Sequence, residues 1–172
     1  MPSSNANVIP KVTLGRTGIF STKLGLGTAG WPRRVPFEQT VEMLRAAFDA
    51  GIRHIDTAPL YHTEEIIGRA LQEIDAPPDV VLATKAGSYS DVELGIHYNG
   101  YRAKHIYRSV ERSLKRFDVD YLHVVHIHDV REEHMDQVFA EQGALTALLD
   151  LKAQGVIGAV GMGTLGLKPL QA

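Results

Sequence analysis

The feature that most constrains this chain is its alternation. From residue 23 onward, a short run suited to a β-strand is followed by an amphipathic helical segment, and this happens four times. The strand runs are residues 23–27, 53–57, 80–84 and 121–127, and a fifth closes the series at 156–162. Strand–helix alternation with a repeat of ~30–40 residues implies parallel strands joined by right-handed crossovers. The expected fold class is therefore α/β, of the parallel barrel type, with five strands out of the eight that such a barrel needs.

The helices read from period and punctuation. In 37–50, Val41, Leu44 and Phe48 fall on one face, and Gly51 takes the position after the C-cap. Thr63 is expected to cap the next helix, with Glu64 and Glu65 in its first turn, where the helix dipole favours acids. That helix stops before Ala76-Pro77-Pro78. In 104–117, Ile106, Val110, Leu114 and Phe117 share a face. Residues 132–154 hold one helix, or two meeting near Gly143. Ahead of the series, 12–22 predicts a β-hairpin turning at Gly15–Gly18, and residues 1–11 predict a flexible tail. Residues 31–36 read as a loop. Residues 87–102, rich in Gly, Ser and Tyr, read as a longer loop that is functional or mobile.

Bulk properties exclude several classes. The length of 172 residues suits one domain. With 18 basic and 20 acidic residues, no strong field attracts nucleic acid or an anionic membrane. No cysteine is present, which removes disulfide scaffolds and thiol catalysis and fits a cytoplasmic protein. No apolar run approaches the ~20 residues that span a bilayer. The first eleven residues lack the basic start and apolar core of a signal peptide.

The chemistry sits at strand ends. Asp56, Lys85 and His128 each follow or close a different strand run, and Tyr61 lies in the loop just past Asp56. Parallel barrels build their active sites at that end. A phenol titrates near ~10, and an adjacent ammonium favours its ionised form. Lys85 can supply that ammonium, Asp56 can hold the lysine, and His128 can hydrogen-bond a substrate oxygen or the phenol. Such a group suits carbonyl reduction with Tyr61 as proton donor, or the reverse oxidation. The hydride must come from a cofactor, because no side chain can supply one. Each residue alone has a plainer reading: a turn or cap aspartate, a solvated lysine, a satisfied histidine. Their joint placement favours the site.

His126 and His128 are two apart and share a face of their strand, so His126 is expected one layer deeper, as a pocket-floor residue. His123 is expected on the helix side. A His-x-His pair on a barrel strand can also hold a metal, as in metal-dependent hydrolases, but that reading leaves Asp56 and Tyr61 unused.

These motifs resemble the aldo-keto reductases. The resemblance rests on Leu-Gly-Arg-Thr-Gly (14–18), Gly-Leu-Gly-Thr-Ala (25–29), Gly-Ile-Arg-His-Ile-Asp-Thr-Ala-Pro-Leu-Tyr (51–61), Ile-Gly-Arg-Ala-Leu (67–71), Ala-Thr-Lys (83–85), Ser-Val-Glu-Arg-Ser-Leu-Lys-Arg-Phe (109–117) and Asp-Tyr-Leu-His-Val-Val-His-Ile-His-Asp (120–129). It runs from about residue 12 to the end. It implies a catalytic tetrad of Asp56, Tyr61, Lys85 and His128, and NADP or NAD as cofactor. It also implies cofactor contacts from Thr28, Asp56 and Thr164, and a small sugar or aldehyde substrate, with Trp31 and His128 as pocket walls. The His-Ile-His-Asp and Thr-Leu-Gly-Leu segments look most like a branch of sugar dehydrogenases acting on L-galactose, L-fucose or related aldoses, some members of which take pyridoxal.

Two departures stand out. The family usually has a polar pair after the fifth strand, touching the nicotinamide amide. Here Gly163 and Thr164 stand there, and Gly163 has no side chain. The second departure is length, since a full barrel needs ~250 residues. Three explanations follow: a piece of a longer enzyme, a barrel completed by self-association or a second polypeptide, or a half-barrel without activity.

Overall fold

The computed structural model describes residues 9–32, 35–91, 96–164, 166 and 171. The tail expected over 1–11 lies mostly outside the described residues, and Lys11 already belongs to a strand. Strands β1 (Lys11–Thr13) and β2 (Phe20–Thr22) form the expected antiparallel hairpin. Then follow β3 (Gly25–Gly27), α1 (Phe37–Asp49), β4 (His54–Asp56), α2 (Glu64–Glu73) and β5 (Val81–Ala86). After a second hairpin, β6 (Ser88–Asp91) and β7 (Ile96–Asn99), come α3 (Ala103–Phe117) and β8 (Leu122–Ile127). Two helices, α4 (Met135–Phe139) and α5 (Ala144–Ala153), meet at Gly143 and lead to β9 (Ile157–Met162). No helix among the described residues is long and apolar enough to cross a membrane.

Strands β3, β4, β5, β8 and β9 make one parallel sheet in that order. Each neighbour in sequence is a neighbour in space, as right-handed strand–helix–strand winding requires. The central strands β5 and β8 are largely buried on both faces, whereas the edge strands β3 and β9 are only partly covered. On the helix side, Leu44, Ile55, Ile67, Ile106 and Leu148 are fully buried in one core. On the opposite face, Ala83, Val124 and Ala159 form a second small cluster, and Leu14 and Ile19 of the β1–β2 hairpin pack against it.

Two expectations are corrected. Residues 87–102 are not an unstructured loop: β6 pairs with β7, with Tyr89 opposite Tyr98 and their rings 5.5 Å apart. Aromatic cross-strand pairs stabilise a hairpin, and a loop-like composition hid that signal. Thr63 precedes α2 but makes no side-chain cap. Its hydroxyl joins those of Thr57 (2.7 Å) and Thr28 (3.1 Å), so a tertiary contact wins over the local one.

Glu64, expected only to complement the dipole, is 1% exposed. It accepts a hydrogen bond from Thr84 Oγ1 at 2.7 Å and pairs with Arg116 at 2.9 Å, tying α2 to β5 and α3. A buried carboxylate requires such partners. The two helices come together at Gly68, where an added Cβ would lie 2.7 Å from the Arg116 carbonyl oxygen and the Phe117 Cα. Both obstacles are backbone and cannot turn aside. Gly68→Ala is therefore expected to lower stability by about 1–3 kcal/mol in urea unfolding. A variant as stable as the parent would show that the α2–α3 contact is slacker than described.

Candidate active site

Three strand ends and one turn assemble the site. Register sets their height: Asp56 pairs with Ala83, Ala83 with Val124, and Lys85 with His126. Side chains alternate along a strand. Asp56, Lys85 and His126 therefore share the face that carries Ala83 and Val124, away from the helices. Tyr61 enters from a one-turn 3₁₀ helix, Pro59–Tyr61, anchored by the buried Ala58 and Pro59.

The structure brings Asp56, Tyr61, Lys85 and His128 together. Lys85 Nζ donates to Asp56 Oδ1 at 2.5 Å and to the Thr57 carbonyl oxygen at 2.8 Å. The lysine side chain is 11% exposed and the aspartate 36%. The ammonium also stands over the Tyr61 ring, 5.0 Å from its centroid. A cation there is attracted by the ring face. The Tyr61 hydroxyl is 3.4 Å from His128 Nε2, with the two rings perpendicular. That distance is long for a direct hydrogen bond. It suits two groups that share a third oxygen.

His128 is held by its backbone. Its amide donates to the Ala86 carbonyl at 2.8 Å, and its carbonyl accepts the Tyr101 hydroxyl at 2.8 Å. Tyr101 is fully buried and also donates to the Asp129 carbonyl at 2.9 Å. Burial pushes the His128 imidazole down to about 4, and the Lys85 charge adds to that shift. The ring is thus neutral near pH 7. Its Nδ1 is buried without a hydrogen-bond partner. An orphaned N–H donor costs more than an orphaned ring acceptor, which assigns the proton to Nε2, the nitrogen facing Tyr61.

A layer of neutral histidine lies beneath. His126 sits against Gly161 of β9, where a Cβ would come 2.9 Å from the ring Nε2, so only glycine leaves room. Burial lowers its pKa, and its Nδ1 has no partner. His54 Nδ1 meets Ser21 Oγ at 2.9 Å, and burial lowers its pKa as well. His123 Nδ1 accepts the Leu82 amide at 3.2 Å, so the ring ties β8 to β5.

Two of the residues expected to meet a cofactor, Thr28 and Thr164, have hydroxyls engaged within the chain. Thr28 is fully buried, and its Oγ1 donates to Thr57 Oγ1 at 2.8 Å. Its amide donates to the Asp56 carbonyl at 3.1 Å, so it braces the strand end from behind. Thr164 Oγ1 donates to the Val130 carbonyl at 2.6 Å and accepts the Gly166 amide at 3.0 Å. Gly163 lies beside Lys85, its absent Cβ 4.0 Å from the lysine Cδ. Trp31 is half-buried and packs on the main core. No group of three or more potential metal ligands occurs among the described residues.

Sequence reasoning missed Tyr101, the Thr57 carbonyl and the three-threonine cluster. Tyr101 carried no signal that set it apart from the other tyrosines of 87–102. The threonine cluster becomes visible only once β3, β4 and the start of α2 are adjacent.

The arrangement can now be compared with known proteins. The aldo/keto reductase family model matches residues 23–172. The chain is 31% identical over 158 residues to L-galactose dehydrogenase from Arabidopsis thaliana, covering 87% of this chain and 46% of that protein. It is 30% identical to pyridoxal 4-dehydrogenase from Microbacterium luteolum, covering 89% of this chain and 55% of that one. Among solved structures, a putative aldo-keto reductase from Pseudomonas aeruginosa superposes with a TM-score of 0.78 at 34% identity, covering 88% of this chain and 59% of that chain. The chain thus spans about half the length of the curated relatives it matches. With the parallel sheet, the strand-end site and these matches together, the chain belongs to the aldo/keto reductase family.

Proposed function

We propose that this chain carries the proton-transfer half of an NAD(P)-dependent oxidoreductase, which interconverts a sugar or other small aldehyde or hemiacetal with its reduced or oxidised product. The observation that carries the reading is the buried Lys85 ammonium, bonded to Asp56 and placed over the ring of Tyr61. The likeness to L-galactose dehydrogenase and pyridoxal 4-dehydrogenase supports carbonyl–alcohol redox chemistry on a small polar substrate.

Each group has one task. Tyr61 gives its hydroxyl proton to the substrate carbonyl oxygen, or takes one back in the oxidation direction. Lys85 stabilises the charge left on the phenol. Asp56 and the Thr57 carbonyl keep the ammonium in place. His128, neutral, donates from Nε2 to the same substrate oxygen and orients it. The nicotinamide, when bound, supplies or accepts the hydride. The donor set fits that partner, since the Tyr61 hydroxyl and His128 Nε2 stand 3.4 Å apart, close enough to meet one substrate oxygen, and Gly163 puts no side chain against the lysine. Asp56, Gly163 and Thr164 would border it, with Thr28 bracing Asp56 from behind.

A second reading is that activity requires further polypeptide, from the same chain or from a partner. It is favoured by the β9 side of the sheet, where Phe139 and Leu149 are 46% and 50% exposed beside an apolar cleft. An isolated sheet edge with apolar flanks invites a covering element.

The reaction is read at the nicotinamide absorbance band with aldoses and NAD(P)⁺. Tyr61→Phe is expected to cut turnover by at least ~10²-fold while the fold persists. Near-normal turnover by this variant would remove Tyr61 from the mechanism.

Stability should also depend on pH in one direction. The unfolded chain takes protons on histidine near pH 6.5, whereas His128 resists protonation down to about 4. His126 and His54 shift the same way. The unfolded state therefore binds more protons as pH falls through this window. Stability is lost from about pH 6.5 toward 4, by at most ~1.4 kcal/mol per pH unit for each such histidine. Urea midpoints measured across that range check it: His126→Gln should flatten the slope, and a level profile in the parent protein would contradict the buried-neutral assignment.

A further inference from the structure

A second site lies outside the tetrad, between α3 and the β6–β7 hairpin. Arg108, Arg112 and Arg116 recur every four residues along α3 and therefore share one side of the helix. They line a narrow cleft whose opposite wall includes Ser88 and Tyr89 and whose end is Pro59. Arg116 is neutralised by the buried Glu64 at 2.9 Å. Arg112 stacks over the Tyr89 ring at 6.0 Å. Neither Arg108 nor Arg112 has a carboxylate partner among the described residues. Helix α3 carries five lysines and arginines against one acid, Glu111, and Lys115 occupies that acid at 2.6 Å. Like charges at this spacing destabilise a helix, and the chain as a whole is net negative.

The second observation is Ser88. It lines the same cleft, is 1% exposed, and its Oγ has no hydrogen-bond partner. Buried hydroxyls almost always have one. His105, on the same wall, is also crowded by cations: burial lowers its pKa first, then Lys104, Arg102 and Arg108. Two guanidinium groups without carboxylates and one buried hydroxyl without a partner describe an oxyanion receptor.

We propose that this cleft binds a small phosphate-type dianion, either inorganic phosphate or a phosphomonoester, through Arg108, Arg112 and the Ser88 hydroxyl. Two arginines match the charge of a dianion, and their planar forks match its oxygen geometry. Arg108 and Arg112 are exposed, so the anion sits at the cleft mouth with any ester substituent outside. The hairpin that carries Ser88 and Tyr89 packs on the Pro59–Tyr61 turn. A bound anion thus joins α3 to the wall that holds the catalytic tyrosine. The site stands independently of the redox reading.

Isothermal calorimetry tests it on the purified protein, with inorganic phosphate and glycerol phosphate at constant ionic strength. Saturable one-to-one binding is expected for at least one of them, and the tighter of the two identifies free ion or ester. Arg108→Gln should weaken it by about tenfold or more, and Ser88→Ala by several-fold, with circular dichroism unchanged. Arg112→Gln should do the same, but it also removes the contact with Tyr89, so Arg108→Gln is the decisive variant. Lys152→Gln, on α5, should leave binding intact. The proposal is overturned by heats that match chloride, by equal binding in Arg108→Gln, or by a face that ignores both phosphates and binds only an acidic polymer such as polyglutamate or single-stranded RNA.

Discussion

The structure depends on one ion pair. Lys85 is almost fully buried, and a buried ammonium without a partner is strongly disfavoured. Asp56, which ends the strand next to β5, and the Thr57 carbonyl just past it satisfy it. The pair therefore forms only when the two strands are parallel, adjacent and correctly registered. It also fixes where positive charge stands relative to Tyr61. Behind it, the Thr28–Thr57–Thr63 hydroxyls and the Thr28 amide hold the end of β4 rigid. Preorganisation of this kind lets an electrostatic site act without rearranging during the reaction.

Polarity changes in steps along the inner face of the sheet. At the base, small side chains of Ala83, Val124 and Ala159 accept the hairpin residues Leu14 and Ile19. On the same face, His54 (level with Val81) and His126 (level with Lys85) are polar but neutral, since burial disfavours their charged forms. The ionised pair comes next, at the rim where Asp56 is partly solvated. This order keeps full charge where water can still reach it. His128 stays neutral beside the ammonium and does not add a second cation.

The parts of this molecule that obey a period were legible in the sequence. Helical faces such as Val41–Leu44–Phe48 and Ile106–Val110–Phe117 announced themselves, and their alternation with strands implied the parallel sheet. Asp56, Lys85 and His128 were found because strand ends can be counted. What stayed hidden depends on contacts between distant segments. The Thr63 hydroxyl had a local use as a cap and a tertiary use with Thr57 and Thr28, and only packing decides between them. The internal hydrogen bonds of the Thr28 and Thr164 hydroxyls likewise join segments distant in sequence. The bond from the Leu82 amide to His123 Nδ1 also joins two strands distant in sequence. The Tyr89–Tyr98 hairpin was masked by a composition typical of loops.

The central claim is that Lys85 acts on Tyr61 only as one half of its pair with Asp56. A double-mutant cycle on turnover measures this directly, with Lys85→Met, Asp56→Asn and the two combined. Groups that work as a unit are strongly non-additive. The account predicts that the double variant is no slower than Lys85→Met alone. Losses that multiply across the two sites would contradict it, because Asp56 would then act on the reaction independently of the lysine.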